Sequence, residues 1–383
     1  MSDKKVKRVL HITEMLSAAG IESFIMNVYR NIDRNKIQFD FLVLRDKKEF
    51  YDDEVTKLGG RKYFVHSDKS NTLLRVIEES KKIEEFLINN HYDIVHIHYT
   101  TPLRAYYLKA AKNAGVPVRI YHSHSAEVSG KSKIKLLIYN HCKKLIDMYA
   151  THCFACSEAA ARWVYSNYAL NNNKTKVIYN GIDTERFLFK KDIRKEIRND
   201  LAIDNEYVLI NTGRFTEQKN QSFILDIMHY LRESEHNVKL LFLGDGPLKE
   251  ECFAKAKELG IDDSVSFLGV KSNVQDYLFA SDCYVMPSLY EGLPVAGVEA
   301  ECTGLPCIYS KNITDEVEIN SNVVFMDLDQ SVKEWAKTIL SMGIVSKREE
   351  AIKSVKAAGY DIYDVTRIMQ EFYLSEVSIY DKE

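Results

Sequence analysis

Two glutamates eight positions apart dominate the chemistry of this chain. They stand in Pro287-Ser-Leu-Tyr-Glu291-Gly292-Leu293-Pro294-Val-Ala-Gly-Val-Glu299-Ala. The run follows an apolar stretch and predicts a loop opening into a short helix that stops at Gly304, with Pro294 as the first helical residue. Such a loop offers free backbone amides and a positive helix end, which suit a phosphate. The two carboxylates flanking it can accept hydrogen bonds from paired hydroxyls, such as those of a sugar and a ribose. The alternative is a turn with two solvated acids. Glycine, proline and both acids arriving together after a strand favour the site.

A second loop, Thr212-Gly213-Arg214-Phe215-Thr-Glu-Gln-Lys219-Asn220, also follows an apolar run. Arg214 and Lys219 lie across a turn, where a planar fork and a point charge can converge on one diphosphate. The Gly-x4-Gly-Lys-Ser/Thr pattern of a P-loop is missing. Near the start, Ser17-Ala-Ala-Gly20-Ile-Glu22-Ser enters a helix, and Gly20 would let backbone approach a phosphate or sugar closely. A Gly-x-Gly-x-x-Gly fingerprint is absent from the sequence, which counts against dinucleotide binding.

Four histidines cluster at strand ends: His96 and His98, then His122 and His124. His-x-His puts both rings on one face of a strand, so a metal-dependent hydrolase is a rival reading. It needs further ligands, and none is evident at neighbouring strand ends. A neutral histidine donating to substrate hydroxyls is the expectation, with no metal, while His96 and His98 read as packing. Cys153-Phe-Ala-Cys156 has no second pair, and in a strand its thiols face opposite ways, so it reads as core. Asp327-Leu-Asp329 reads as a polar turn.

These loops need strands to carry them. Short β-branched runs alternate with helical stretches: Arg8–Thr13, Phe39–Leu44, Lys62–Val65, Ile94–His98, Val118–Tyr121, His152–Cys156 and Lys176–Tyr179. After a charged stretch, Lys190 to Asn205, read as the hinge, the alternation restarts: Tyr207–Thr212, Val238–Leu243, Val265–Leu268, Cys283–Met286, Pro306–Tyr309 and Val323–Met326. A helix is expected from Pro247 to Gly260. Near-continuous apolar runs suit parallel strands buried on both faces. The fold class is therefore α/β, with two Rossmann-like doubly wound domains, 1–185 and 200–360, facing across a cleft, and a helical segment at 361–383. Chemistry is expected in the loops after the strands.

Composition agrees with this and removes other classes. The 383 residues carry a net charge of −3, with 45% hydrophobic residues and only six prolines. That excludes collagenous and low-complexity chains. The sequence holds no run of eighteen apolar residues, and its start lacks a secretory apolar stretch, so a cytoplasmic protein is expected. Seven irregularly spaced cysteines fit reduced thiols. Residues 1–180 carry 29 Lys and Arg against 19 Asp and Glu, and the remainder 23 against 36. A basic half and an acidic half either meet different partners or attract one another. The basic half includes Lys131-Ser-Lys133-Ile-Lys135-Leu-Leu-Ile-Tyr-Asn-His-Cys-Lys143-Lys144-Leu-Ile. As a helix this aligns Ile134, Leu137, Ile138 and Leu145, which suits either an anionic membrane surface or packing on the sheet.

Taken together, the motifs resemble the retaining glycosyltransferases of family four, with the GT-B fold, over essentially the whole chain. They are Val177-Ile-Tyr-Asn180-Gly181-Ile182-Asp183, Gly213-Arg214 with Lys219, Phe242-Leu-Gly244-Asp-Gly246-Pro247, Phe267-Leu-Gly269, and Glu291-Gly-Leu-Pro with Glu299. Tyr121-His-Ser-His124-Ser and Ser310-Lys-Asn-Ile-Thr-Asp-Glu316 look like the branch that builds capsule and exopolysaccharide. The resemblance implies transfer from a nucleotide-diphosphate sugar, UDP by default, to a glycan or lipid-linked acceptor, with retention and without a metal. It implies that Arg214 and Lys219 grip the diphosphate, and that Glu291, Gly292, Leu293 and Pro294 hold the sugar. Glu299 would bind the ribose, Val270 flank the base, Gly20 approach the phosphates, and His124 reach the donor sugar. No nucleic-acid partner is implied. An epimerase or a sugar phosphorylase of the same architecture is the alternative function, and a sugar-binding module would have no need of the paired cations.

Overall fold

Apolar runs too short for helices pair into two all-parallel sheets in the computed structural model, which describes residues 6–17, 20–125, 133–172 and 174–380, the last four by backbone only. The chain divides into two units, one of residues 1–181 with 362–383 and one of residues 182–361. In the first unit the strands are β1 (Lys7–Thr13), β2 (Ile37–Val43), β3 (Arg61–Phe64), β4 (Ile94–Tyr99), β5 (Val118–Ser123), β6 (His152–Ala155) and β7 (Thr175–Val177). Between them run α1 (Gly20–Asn31), α2 (Asp52–Lys57), α3 (Thr72–Asn89), α4 (Ala105–Asn113), α5 (Lys133–Tyr149), α6 (Glu158–Val164) and α7 (Asn167–Asn171). The sheet order is β3-β2-β1-β4-β5-β6-β7, so the winding reverses between β1 and β4.

Alternation along each strand feeds two cores. Leu10, Ile12, Val95, Ile97 and Tyr121 face α3, α4 and α5. Val9, Phe39, Phe41, Ile94, Val118, Ile120 and Phe154 form the other layer. A last helix, residues 362–380, completes that second layer with Ile362, Val365, Met369 and Tyr373, all nearly inaccessible. The segment expected at 361–383 is thus a structural part of the first unit.

The second unit contains α8 (Lys191–Asp200), β8 (Tyr207–Thr212), α9 (Gln221–Glu233), β9 (Val238–Leu243), α10 (Lys249–Glu258), β10 (Val265–Phe267), α11 (Val274–Ala280), β11 (Cys283–Met286), α12 (Val295–Cys302), β12 (Cys307–Ser310), β13 (Val323–Met326), α13 (Val332–Met342) and α14 (Ala351–Ala357). The helix at Ile362–Tyr380 is then α15. The order is β10-β9-β8-β11-β12-β13, and the reversal falls between β8 and β11. The unit's two ends are bonded: Ile182 bridges Asp361, and its amide donates to the Tyr360 carbonyl at 2.8 Å.

Three local expectations are corrected. The charged stretch read as a hinge contains α8, which buries no residue of its own. It is anchored by polar contacts instead. Arg194 donates to the carbonyls of Phe279, Ala280 and Ser281, and with Arg198 it pairs with Asp282. Pro247 lies in a turn two residues ahead of α10. Pro294 is the residue before α12, with an extended ψ of 105°, rather than its first turn.

Candidate active site

The reversal between β8 and β11 is where a doubly wound sheet opens a crevice, and both loops singled out from the sequence start there. Arg214 and Lys219 follow β8, and Glu291 follows β11. Their loops are tied by backbone and amide contacts: Leu289 N donates to Gln218 O at 2.8 Å, Gln218 Nε2 to Tyr290 O at 2.9 Å, and Asn220 Nδ2 to Pro287 O at 3.1 Å. Asn220 adopts a left-handed φ of 53° to end the turn that carries Lys219. The Lys219 ammonium lies 2.7 Å from Glu291 Oε1, and both side chains are largely shielded. Arg214 is exposed in the same loop as Lys219, its carbonyl held by Gln221 Nε2 at 3.1 Å.

Glycines let three neighbouring strand ends close up under this loop. Gly213 N donates to Leu243 O and Gly244 N to Gly269 O, each at 2.9 Å. Gly244 has φ +139°, and a Cβ there would lie 1.9 Å from the Gly213 carbonyl oxygen. Only glycine fits that approach. Val270, just past Gly269, is 78% exposed.

On α12, Gly297 and Val298 are buried, and Glu299 is half-buried. Burial pushes the Glu299 carboxyl up to about 7, with Arg186 opposing the shift. Leu293 and Pro294 are buried behind the Glu291 loop, and Gly292 is half-buried. Glu301 was not singled out from the sequence. It is buried and accepts from the Ile319 and Asn320 amides at 3.0 and 2.9 Å and from Tyr309 Oη at 3.2 Å. It anchors α12 to a later loop, and a third acid in the same motif was its only signal.

In the first unit the four cited histidines come together, and a fifth, His11 on β1, joins them. Parallel register sets His11 beside His96 and His98 beside His122. Nδ1 of His11 and Nε2 of His98 are hydrogen-bonded at 2.9 Å, as are Nδ1 of His98 and Nε2 of His124. His96 bonds Tyr373 Oη at 2.7 Å and His122 Nδ1 at 3.2 Å. Burial pushes His11 and His124 down to about 3, and lowers the other three as well, so the rings are neutral. His11, His96 and His98, and likewise His98, His122 and His124, each bring three ring nitrogens within 4.8 Å. The additional ligands that the sequence did not reveal therefore come from a neighbouring strand, although both nitrogens of His98 are already spent on other rings. Gly20 begins α1, exposed, with nothing within 4 Å of where a Cβ would stand.

Two cavities of about 520 Å³ each adjoin at the carboxyl ends of β1 to β4. Glu14 lines both; Arg45, His66 and Arg75 line one, and Tyr99 and Arg104 the other. Elsewhere Cys153 and Cys156 are buried core, like every other cysteine. Lys311 pairs with Asp327 in a surface turn.

Comparison with known proteins decides the family. The chain is 35% identical over 364 residues to the putative glycosyltransferase EpsF of Bacillus subtilis, covering 93% of each chain. The chain belongs to the family four glycosyltransferases. The model of that family, Glycosyltransferase Family 4, matches residues 18–186, and Glycosyl transferases group 1 matches residues 193–354. The capsular polysaccharide biosynthesis glycosyltransferase CapH of Staphylococcus aureus is 27% identical, over 96% of this chain and 99% of its own. Among solved structures, Anabaena HepE in complex with UDP superposes with a TM-score of 0.76 at 18% identity, over 97% of this chain and all of that one. The glycosyltransferase therefore has the GT-B fold, two Rossmann-like α/β units.

Proposed function

We propose that this glycosyltransferase moves a hexosyl or N-acetylhexosaminyl group from a UDP-sugar to a hydroxyl of a glycan or lipid-linked glycan in surface polysaccharide synthesis, with retention and without a metal. The observation that carries this is the Lys219–Glu291 pair at the reversal of the second sheet, with Arg214 exposed in the same loop and Glu299 on the following helix. Charge grows on the departing diphosphate, and the two cations together with the amide end of α12 stabilise it. Glu291 holds the sugar through its hydroxyls and keeps Lys219 in place. Glu299 takes the ribose, and Val270 lies against the base. The role of CapH in capsular polysaccharide biosynthesis and the UDP bound to HepE support the substrate classes.

Gly20 and His124 are assigned to the donor on the family resemblance. The acceptor enters the paired cavities of the first unit, where Glu14, Arg45, Arg75 and Arg104 offer the alternating donors and acceptors that sugar hydroxyls need. That unit rests on the inner face of the plasma membrane through α5. Of the apolar side of α5, Ile134 and Leu137 are 71% and 70% exposed beside exposed Lys133 and Lys135, whereas Ile138 and Leu145 pack on the core of the first unit, so only the first turn and a half is open to a membrane. Lys131 and Ala19 lie outside the described residues. Among the described residues, no helix is long and apolar enough to cross a membrane.

Incubation with a panel of sugar nucleotides, following nucleotide release with and without EDTA, tests this. UDP release from one sugar, unchanged by EDTA, is expected. Activity lost in EDTA and restored by a divalent ion would overturn the metal-free mechanism.

A further inference from the structure

We infer that His11, His98 and His124 form a tautomeric lock: three neutral rings that carry their proton on the same nitrogen, and so hold His124 Nδ1 in one hydrogen-bonding sense. The inference rests on the assignment of His124 to the substrate, but its first test does not. A neutral imidazole has one N–H and one bare nitrogen. His98 uses Nε2 toward His11 Nδ1 and Nδ1 toward His124 Nε2, both at 2.9 Å. It must donate at one and accept at the other. If His98 donates from Nδ1, His124 is protonated on Nδ1, and His11 must donate from its own Nδ1. If His98 donates from Nε2, His124 and His11 both carry the proton on Nε2. A mixed pattern breaks a bond in a buried place, where an unmade bond costs most.

The two free ends differ. Both terminal nitrogens are buried and lack a hydrogen-bond partner, but His124 is a half-buried residue in the loop just after β5. His11 Nε2 is sealed among Phe39 and Phe41, whose ring centroids lie 4.1 and 5.7 Å from the imidazole. A relay switches only if a proton enters at one end as another leaves at the far end. Among the described residues no hydrogen-bond partner reaches His11 Nε2, so the array stays as folded. His124 therefore meets substrate as a neutral group of fixed polarity rather than as an acid or base, and His11 and His98 are positioning residues. Phe24 of α1 closes the same layer, 5.6 Å from the His124 ring.

The first test is a long-range proton–nitrogen NMR spectrum of the full chain labelled with ¹⁵N-histidine. All three rings Nδ1–H, or all three Nε2–H, is the expected result. A mixed set, a charged ring near neutral pH, or the pattern of a bound metal after zinc is added at one equivalent would overturn the lock. Two variants then separate positioning from packing. His98→Phe removes both bonds, and His98→Asn keeps an amide where Nδ1 stood. With whichever UDP-sugar proves active, His98→Phe is expected to lower kcat about tenfold with KM little changed, the worth of one net hydrogen bond. His98→Asn should recover most of that loss. Equal loss in both variants, or none in His98→Phe, overturns the positioning role. If His98→Phe does not fold, the wild-type spectrum decides alone. If no sugar nucleotide turns over, the spectrum still reads the lock while the proposed function fails.

Discussion

Arg214 and Lys219 carry two different tasks, although both are cations. Arg214 is exposed and can turn its fork to a ligand, whereas Lys219 is held by Glu291 at 2.7 Å. Replacing either by Ala should cut transfer about a hundredfold or more, the usual loss when a preorganised donor is removed, measured as kcat/KM on folded protein. The glutamates should separate. Glu291→Gln should lower kcat, because the sugar must be held in line, and Glu299→Gln should chiefly weaken nucleotide affinity, read by titration with UDP. The raised Glu299 carboxyl fixes a pH window. An acid whose folded value lies above its unfolded one contributes stability at low pH that is lost as pH rises from the ordinary carboxylate range through about 7. Glu299→Gln should therefore raise Tm at pH 8 relative to wild type and leave it unchanged at pH 4. Nucleotide affinity in the wild type should strengthen over the same rise, as the carboxylate that accepts from the ribose forms.

At the scale of elements, strands were readable because two buried faces demand unbroken apolar runs, and four of them, β8, β9, β11 and β13, begin and end where the sequence placed them. Helix α8 was hidden because most of its residues are charged: Arg194 and Arg198 work against carbonyls and Asp282, and only Ile193 and Ile197, both half-buried, make its apolar side. The site's motifs were legible as loops after strands. His11 was not, because a lone histidine in β1 acquires meaning only when strand order sets β1 next to β4. Gly244→Ala tests the closed strand ends. The Cβ would collide with Gly213, so a loss of about 3 kcal/mol is expected in chemical unfolding. Gly20→Ala, with open space around it, should change stability by less than about 0.5 kcal/mol. Helix α5 is tested with anionic liposomes. The wild type should pellet at low salt and not near 1 M, where the Debye length is about 3 Å. Exchanging Lys133 and Lys135 for Gln should weaken binding by about 1 kcal/mol each. Failure of the wild type to pellet at low salt removes the membrane reading.

At the scale of the whole molecule, the two units differ in how the chain supplies them. Residues 182–361 are contiguous, with entry and exit bonded at Ile182 and Asp361. Expressed alone, that segment should unfold cooperatively and still bind UDP, more weakly than the full chain by the contact assigned to Gly20. Residues 1–181 alone should not fold, since removing α15 bares a layer that Ile362, Met369 and Tyr373 cover and leaves His96 without Tyr373. Circular dichroism of the two segments checks both outcomes.

Helix α15 also sets a clock. A ribosome adds roughly 5–20 residues each second, so the sheet of residues 1–181 waits roughly ten to forty seconds, while the next 180 residues are made, for the helix that closes it. The intervening segment has everything it needs and can fold in that interval. In the living cell the amino-terminal unit, though translated first, would be the last to finish, and the face carrying His11, Phe39 and Phe154 is the surface a nascent-chain chaperone would meet.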